Sequence, residues 1–177
     1  MSARPEAGEP SPFWRFSLAF YGRPGVAPAC LRCQDEARAD VNLVLFMLWQ
    51  ASFGVRFDPA AVAALEARVA PWRLRVVEPL RAIRRHLKET PILPAGEAYR
   101  DRIKAVELEA ERLLQEALFA AAPASVVSSP LAPAEIAAMA RDNLRSYEAA
   151  ARLTLPAEIA SLLIAQLGEM APPGASA

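Results

Sequence analysis

The sequence has very few of the residues that catalytic and metal sites usually need. Its 177 residues include one histidine, His86, and two cysteines, Cys30 and Cys33. A zinc site takes about four ligands, and a nucleophilic triad pairs its serine or cysteine with a histidine, so neither can be argued here. There is no Walker-type or G-x-G-x-x-G loop for nucleotide phosphates. We therefore expect no bound metal, no cofactor and no catalytic residue.

The sequence also lacks net charge, since 20 Lys and Arg residues balance 20 Asp and Glu residues. Binding to nucleic acid or to an anionic membrane through overall charge requires an excess of cations, so the composition disfavours both partners. Only two of the basic residues are lysines, Lys88 and Lys104. Together with the high alanine and proline content, this arginine excess is typical of a GC-rich bacterial genome rather than of phosphate binding.

A long apolar run is absent as well. The most apolar stretch, Val41 to Phe53, is interrupted by Asn42 and Gln50 and is shorter than the roughly 20 residues of a membrane span. The N-terminal residues lack the apolar core of a secretory signal. The sequence therefore predicts a cytoplasmic protein without a membrane segment, in which the apolar stretch forms a buried central helix.

What the sequence does contain is a series of helix start signals followed by helical periodicity. Ser11-Pro12 and Asp58-Pro59 each place a capping side chain before a proline, and Asp40 precedes the apolar stretch. With no sustained strand-like alternation, the pattern predicts an all-α fold, a compact multi-helix bundle of about seven helices. The expected organisation is a disordered tail at 1–10, one helical domain at 11–168 with a flexible connector at 122–132, and a disordered tail at 169–177.

Two further expectations concern the middle of the chain. A new helix should start near Pro71, and Pro79 should kink or break it near Glu78 because proline donates no backbone N–H. In the longest helix, about residues 95–121, apolar side chains recur at alternating spacings of four and three and predict a buried seam. The seam consists of Tyr99, Ile103, Val106, Ala110, Leu113 and Ala117.

Polar side chains crowd the approach to the apolar stretch, between residues 34 and 42. Buried amides and carboxylates must be hydrogen-bonded, because an unsatisfied group costs about 1–3 kcal/mol. One interpretation is structural: Asp40 caps the central helix, and the other side chains tie neighbouring segments together. The alternative is a pocket with an aromatic wall that holds a ligand or a divalent cation. The candidate binding residues are Trp14, Gln34, Asp35, Asp40 and Asn42.

A basic stripe follows at helical spacings of three and four, and its members are Arg81, Arg84, Arg85 and Lys88. It is a candidate partner face that would meet a phosphate or an acidic protein. The alternative is internal pairing across a helical hairpin, worth about 0–1 kcal/mol for each exposed pair. The acidic residues available for that pairing are Glu107, Glu109, Glu111 and Glu116.

Cys30 and Cys33 form a single C-x-x-C pair. Two thiols at this spacing can ligate a metal or form a redox couple, but the other ligands and the βαβ context of those sites are missing. Because positions i and i+3 share one face of a helix, the pair is better explained as two small core residues.

A string of residues in the first half carries a resemblance. It comprises Trp14, Tyr21, Pro24-Gly25-Val26, Cys30-Leu31, Gln34-Asp35, Asp40-Val-Asn-Leu43, Phe46 and Trp49, and it continues more weakly through Pro79-Leu-Arg81 and Arg84-Arg85. In these residues the chain resembles a proteobacterial family of uncharacterised helical proteins of unknown function. The resemblance implies no activity. Family members often carry glycine after the Gln-Asp pair, whereas this chain has Glu36-Ala37-Arg38-Ala39, which leaves the geometry of that turn open.

Three hypotheses about function follow. The leading one is a non-catalytic protein that acts by binding a protein partner or by self-association. The alternative is a small-molecule- or metal-dependent enzyme whose pocket uses Gln34, Asp35, Asp40 and Asn42. A weaker third hypothesis is nucleic-acid contact through the basic stripe.

Overall fold

The computed structural model describes residues 9–89, 96–123 and 131–170. Over these ranges the chain is all-α and contains no strand, which confirms the predicted fold class. A π-helical turn at Arg73–Val77 joins α4 to α5 without a break, so the described residues form seven helical rods. The helices are α1 (Pro12–Tyr21), α2 (Val26–Ala37), α3 (Val41–Ala51), α4 (Pro59–Trp72), α5 (Glu78–Glu89), α6 (Gly96–Ala120), α7 (Pro133–Ala151) and α8 (Ala157–Gly168).

Three helices begin at the capping residues that the sequence predicts. The side chains of Ser11, Asp40 and Asp58 each accept a hydrogen bond from a backbone N–H in the following turn, at 3.1, 2.9 and 2.7 Å. Each bond satisfies a backbone donor that has no partner inside its helix, and such a cap is typically worth about 1 kcal/mol. These side chains therefore set the starts of α1, α3 and α4.

Helix α3 is the centre of the bundle, as predicted. All of its residues after Val41 are buried, and α1, α2, α6 and α7 pack around it. The rings of Phe46 and Trp49 on α3 lie 5.2 and 5.1 Å from that of Phe13 on α1. A helix that is apolar on nearly all sides has no face to offer to water, so it takes the core position.

The helix boundary predicted at Pro71 is wrong, and the helix does not break at Pro79, whereas the kink predicted there as the other outcome stays a prediction. Pro71 lies inside α4, and the chain continues through the π-turn into α5. The N–H of Glu78 bonds the carbonyl of Arg73, five residues back instead of four. We attribute the continuity of the helix at Pro79 to this wider hydrogen-bond register. The register changes the carbonyl groups that lie next to the proline ring.

Helix α6 buries a different face from the predicted seam. Tyr99, Val106 and Leu113 are 48%, 52% and 42% exposed. The buried residues of α6 are Glu107, Ala110, Leu114, Gln115 and Leu118, and only Ala110 among them belongs to the predicted seam. Two of these five are polar, and they are buried because α5 and α3 supply partners for them. A pattern built on apolar residues alone therefore selects the wrong face.

Residues 1–8, 90–95, 124–130 and 171–177 lie outside the described ranges. Most of the expected tails at 1–10 and 169–177 and of the expected connector at 122–132 falls there, and the domain boundaries stay predictions. Among the described residues, none of the helices combines the length and the apolar character that crossing a membrane requires.

Candidate functional site

The junction of α2 and α3 faces the π-turn and α5 across a pocket of about 440 Å³, which we call the arginine pocket. Four of the five candidate binding residues line it, and so do two residues of the basic stripe. The structure thus places the two candidate features opposite each other. The lining residues are Gln34, Asp35, Arg38, Ala39, Asp40, Val41, Asn42, Arg73, Val77, Glu78, Arg81, Ala82 and Arg85.

Arg73, on the π-turn, is held in the pocket wall by three carboxylates. Its guanidinium donates to Asp40 at 3.3 Å and to Glu66 at 2.5 Å, and its Nε lies 3.7 Å from Glu78. Burial disfavours the charge of Arg73, but the nearby carboxylates of Asp40 and Glu66 outweigh it and raise the pKa of the guanidinium. Asp40 therefore has two roles, because it caps α3 through one oxygen and fixes Arg73 through the other.

The basic stripe divides between two partners. Arg81 and Arg84 pair with α6, with Arg84 donating to Glu107 at 2.5 Å and Arg81 to Glu111 at 2.5 Å. Arg85 pairs instead with Asp35 of α2 at 3.1 Å, where both side chains are about half exposed. The hairpin interpretation thus fits Arg81 and Arg84 but not Arg85.

The rest of the stripe and its expected partners lie elsewhere. Lys88 is exposed and forms no ion pair with any other residue in the described ranges. Glu109 and Glu116 approach Arg112 of their own helix, at 2.6 and 3.8 Å, rather than the stripe.

Arg38 ends α2 in the left-handed conformation, with φ 54° and ψ 30°. This is the turn whose geometry the sequence leaves open. A side chain in this conformation costs about 1 kcal/mol relative to glycine, and such strained residues are common at functional sites. Arg38 is exposed, lines the arginine pocket and makes no ion pair with another described residue. It is therefore a cation available to a ligand.

A second, smaller pocket of about 190 Å³ adjoins the first between α1, α3 and α6, and we call it the Trp14 pocket. Trp14, the fifth candidate residue, lines this pocket and not the arginine pocket. The apolar walls include Leu18, Leu45 and Leu108. The two pockets are neighbours, because both are lined by Gln34, Val41, Asn42 and Arg81.

Two residues that line the Trp14 pocket each have a buried polar atom without a hydrogen-bond partner in the described part of the chain, Ser17 Oγ and Gln115 Oε1. Ser17 is 4% exposed and Gln115 is 3% exposed. The other end of the Gln115 amide is engaged, since its Nε2 donates to Asn42 Oδ1 at 2.8 Å. An unsatisfied buried polar group costs about 1–3 kcal/mol, so these atoms are candidates for ligand contact. Sequence reasoning missed Gln115 because it assigned the buried face of α6 incorrectly, and it missed Ser17 because a single serine within α1 carries no signal of its own.

The remaining candidate chemistry lies in the core. Cys30 and Cys33 are fully buried on α2. Burial raises the pKa of Cys30 to about 12 and that of Cys33 to about 11, so both are protonated and unreactive near neutral pH. Within the described ranges, no group of three or more His, Cys, Asp or Glu side chains is arranged to hold a metal ion.

One family model, described as a protein of unknown function (DUF2390), matches residues 12–118, which is more than half of the chain. The protein belongs to the DUF2390 family. No curated protein and no solved structure matches the chain. All the residues that line the arginine and Trp14 pockets fall inside the DUF2390 match, whereas α7 and α8 lie outside it.

Proposed function

We propose that this protein binds a small anionic molecule in the arginine pocket. The observation that carries the proposal is the convergence of four arginines from three segments on one pocket, together with the amides of Gln34 and Asn42. Guanidinium groups pair with carboxylates and phosphates through two parallel hydrogen bonds, and amides add directed donors. The class of ligand is therefore a small carboxylate or phosphate.

The arginines differ in how free they are to meet such a ligand. Arg73 and Arg81 are fixed by the carboxylates around them. Among the described residues, Arg85 is held only by the half-exposed Asp35. Such a pair is worth about 0–1 kcal/mol, so an arriving anion can replace Asp35 at little cost. Arg38 has no pair to break among the described residues. We assign the main contacts to Arg38 and Arg85.

The lining of the arginine pocket favours binding over catalysis. Among the described residues that form it there is no histidine, cysteine, serine, threonine, tyrosine or lysine. Its acidic side chains are engaged: Asp40 and Glu78 neutralise Arg73, and Asp35 pairs with Arg85. A general base or nucleophile would need a free group within reach of the ligand, so the expected role is a binding module rather than an enzyme.

The test is a thermal-shift and calorimetric titration with citrate and inorganic phosphate against sodium chloride of equal ionic strength. We expect at least one of the two anions to raise the melting temperature and to bind with measurable heat. The double variant Arg38→Ala/Arg85→Ala should lose at least about 90% of the affinity, while Arg68→Ala, an exposed arginine of α4 outside the pocket, should bind like the parent protein.

A variant that is expected to strengthen anion binding makes this test more specific. Asp35→Asn removes the carboxylate that competes for Arg85, so it should strengthen anion binding several-fold while leaving stability nearly unchanged. If neither anion binds, or if the double variant binds as well as Arg68→Ala, the proposed function is wrong.

A second candidate is self-association through α6, and one observation favours it. Tyr99, Val106 and Leu113 recur every seven residues on α6 and are about half exposed. The basic residues Arg100, Arg102 and Lys104 lie in its first half and most of its glutamates lie in the second. In an antiparallel pair of α6 helices, Arg100, Arg102 and Lys104 of one copy would lie near the second half of the other, where three glutamates outnumber one arginine.

Sedimentation velocity at about 1–100 µM tests this candidate. The parent chain should shift from monomer to dimer over this concentration range. Val106→Glu should remain monomeric, because it puts a charge among the exposed apolar side chains of α6. Leu31→Glu, at an equally exposed leucine of α2, is the matched control and should still associate. A parent chain that stays monomeric at 100 µM would exclude self-association.

The proposed setting is the bacterial cytoplasm. Two unpaired, buried thiols at Cys30 and Cys33 support a reducing compartment. The balanced charge of the chain supports a small molecule or a second protein as partner rather than nucleic acid.

A further inference from the structure

We infer that the Trp14 pocket is a binding site of its own for a small uncharged molecule that carries an amide or a hydroxyl group. Two buried polar atoms point to this ligand, since Ser17 and Gln115 both line the pocket and Ser17 Oγ and Gln115 Oε1 have no partner among the described residues. The inference does not depend on the arginine pocket being occupied. It concerns a different cavity and a different class of ligand.

The position of Ser17 is unusual for a serine inside a helix. A helical serine that cannot reach water commonly bonds the carbonyl four residues back, but Ser17 Oγ bonds no other described residue, although Ser17 is only 4% exposed. Gln115 is similarly one-sided, because its Nε2 donates to Asn42 while its Oε1 accepts nothing. A ligand N–H or O–H that reached either oxygen would supply the missing donor.

The charges at this pocket cancel, so an ion is not the expected occupant. Arg81 and Glu111 are both on the lining, and they pair with each other. Tyr21 also lines the pocket, and burial raises the pKa of its phenol to about 12, so it stays neutral at physiological pH. The ligand therefore meets neutral polar groups at one end and the apolar walls of Trp14, Leu18 and Leu108 along its body.

The size of the pocket limits the ligand. A volume of about 190 Å³ admits a molecule of roughly six non-hydrogen atoms, if a water-sized group takes about 30 Å³. Butyramide has this size, with a three-carbon chain for the apolar walls and an amide for Ser17 and Gln115. An affinity on the order of 1–50 mM is reasonable for a fragment so small.

The experiment is a titration of the ¹⁵N-labelled full chain with butyramide, followed by NMR. We expect the indole N–H signal of Trp14 to move and that of Trp72, which lies outside the pocket, to stay in place. Pentan-2-one, which has the same size but no N–H, should bind at least about fivefold more weakly. Ser17→Ala should weaken butyramide binding about fivefold, whereas Ser161→Ala, a helical serine whose Oγ already donates to Ala157, should not.

Ser17→Ala removes no hydrogen bond, so the variant keeps the fold and its melting temperature confirms this. If butyramide shifts no pocket signal at 100 mM, or if Ser17→Ala binds it as well as Ser161→Ala does, the inference is wrong and ordered water satisfies the two atoms. The double variant Arg38→Ala/Arg85→Ala should bind butyramide normally. This last result separates failure at the Trp14 pocket from failure of the proposed anion site.

Discussion

Two polar regions inside this protein differ in how completely their hydrogen bonds are made. In the first, Asn143 of α7 donates to the carbonyls of Met47 and Val55 at 3.2 and 2.9 Å and accepts from the N–H of Phe57 at 2.9 Å. In the second, the Trp14 pocket, Ser17 and Gln115 each leave a buried oxygen without a partner. Both regions bury polar atoms, but only in the first region are the polar ends of the side chain all hydrogen-bonded.

The difference teaches how buried polar residues can be sorted. Asn143 is fully buried and uses both ends of its amide to fix the segment that links α3 to α4, so its role is structural. Where one end of a buried amide is satisfied and the other has no partner, the fold alone does not explain the residue. The predictions below test this contrast by comparing losses of stability with losses of binding.

The largest effect is expected for Asn143→Ala. The substitution removes three hydrogen bonds from the core, two to the carbonyls of Met47 and Val55 and one from the N–H of Phe57, and it also opens a cavity. We expect the free energy of unfolding to fall by about 3–5 kcal/mol in urea denaturation. A loss under 1 kcal/mol would show that water replaces the amide, and the contrast between the two regions would then disappear.

The next effect separates the two aspartates of the arginine pocket. Asp40→Ala removes the cap of α3 and one partner of Arg73, so it should cost about 2 kcal/mol, and Asp40→Asn should cost less because asparagine still caps. Asp35→Asn should change the free energy of unfolding by less than about 0.5 kcal/mol, since its pair with Arg85 is solvent-accessible. Equal losses of stability at Asp35 and Asp40 would contradict the proposal that an anion replaces Asp35 at Arg85.

A smaller effect of opposite sign is expected at the two arginines in left-handed conformation. Arg38 ends α2 with φ 54° and Arg152 ends α7 with φ 53°. Replacing either with glycine should stabilise the fold by about 0.5–1 kcal/mol by relieving backbone strain. Only Arg38→Gly should also weaken citrate or phosphate binding, because Arg152 lies outside the arginine pocket. If both variants bind anions like the parent, Arg38 is not a ligand contact.

The smallest effect concerns the thiols, which should not respond at all in the native state. With pKa values raised to about 12 and 11, Cys30 and Cys33 carry very little thiolate at pH 8. Alkylation by iodoacetamide should therefore be at least about 100-fold slower in the native protein than in guanidinium chloride. Fast native alkylation would mean that α2 opens and that the core beside the arginine pocket is not closed.

Local signals predicted much of the fold. The caps at Ser11, Asp40 and Asp58 and the burial of α3 follow from a few neighbouring residues, and the sequence predicts them correctly. The path through Pro71 and Pro79 could not be predicted, because it depends on a π-turn whose five-residue bonds leave no pattern in the residue types. The buried face of α6 was missed because its polar residues are buried by partners distant in sequence.

The candidate site was predicted only where its residues lie close together in the sequence. Gln34, Asp35, Asp40 and Asn42 lie within nine residues of each other, so their crowding is visible in the sequence. Arg73 and Arg38 carry no such signal, because their place at the pocket depends on the π-turn and on a left-handed backbone. Ser17 and Gln115 come to line one pocket through the packing of α1 against α6.

The π-turn has one more consequence, which concerns the angle at which α5 presents its side chains. An α-helix advances about 100° per residue, and a π-turn is equivalent to one extra residue in the helix. Helix α5 is therefore rotated by about 100° around its axis relative to a regular continuation of α4. In a chain shortened by one residue between 73 and 77, Arg81 and Arg85 would turn away from Asp40. The one extra residue of the π-turn thus sets the direction in which the arginines of α5 point.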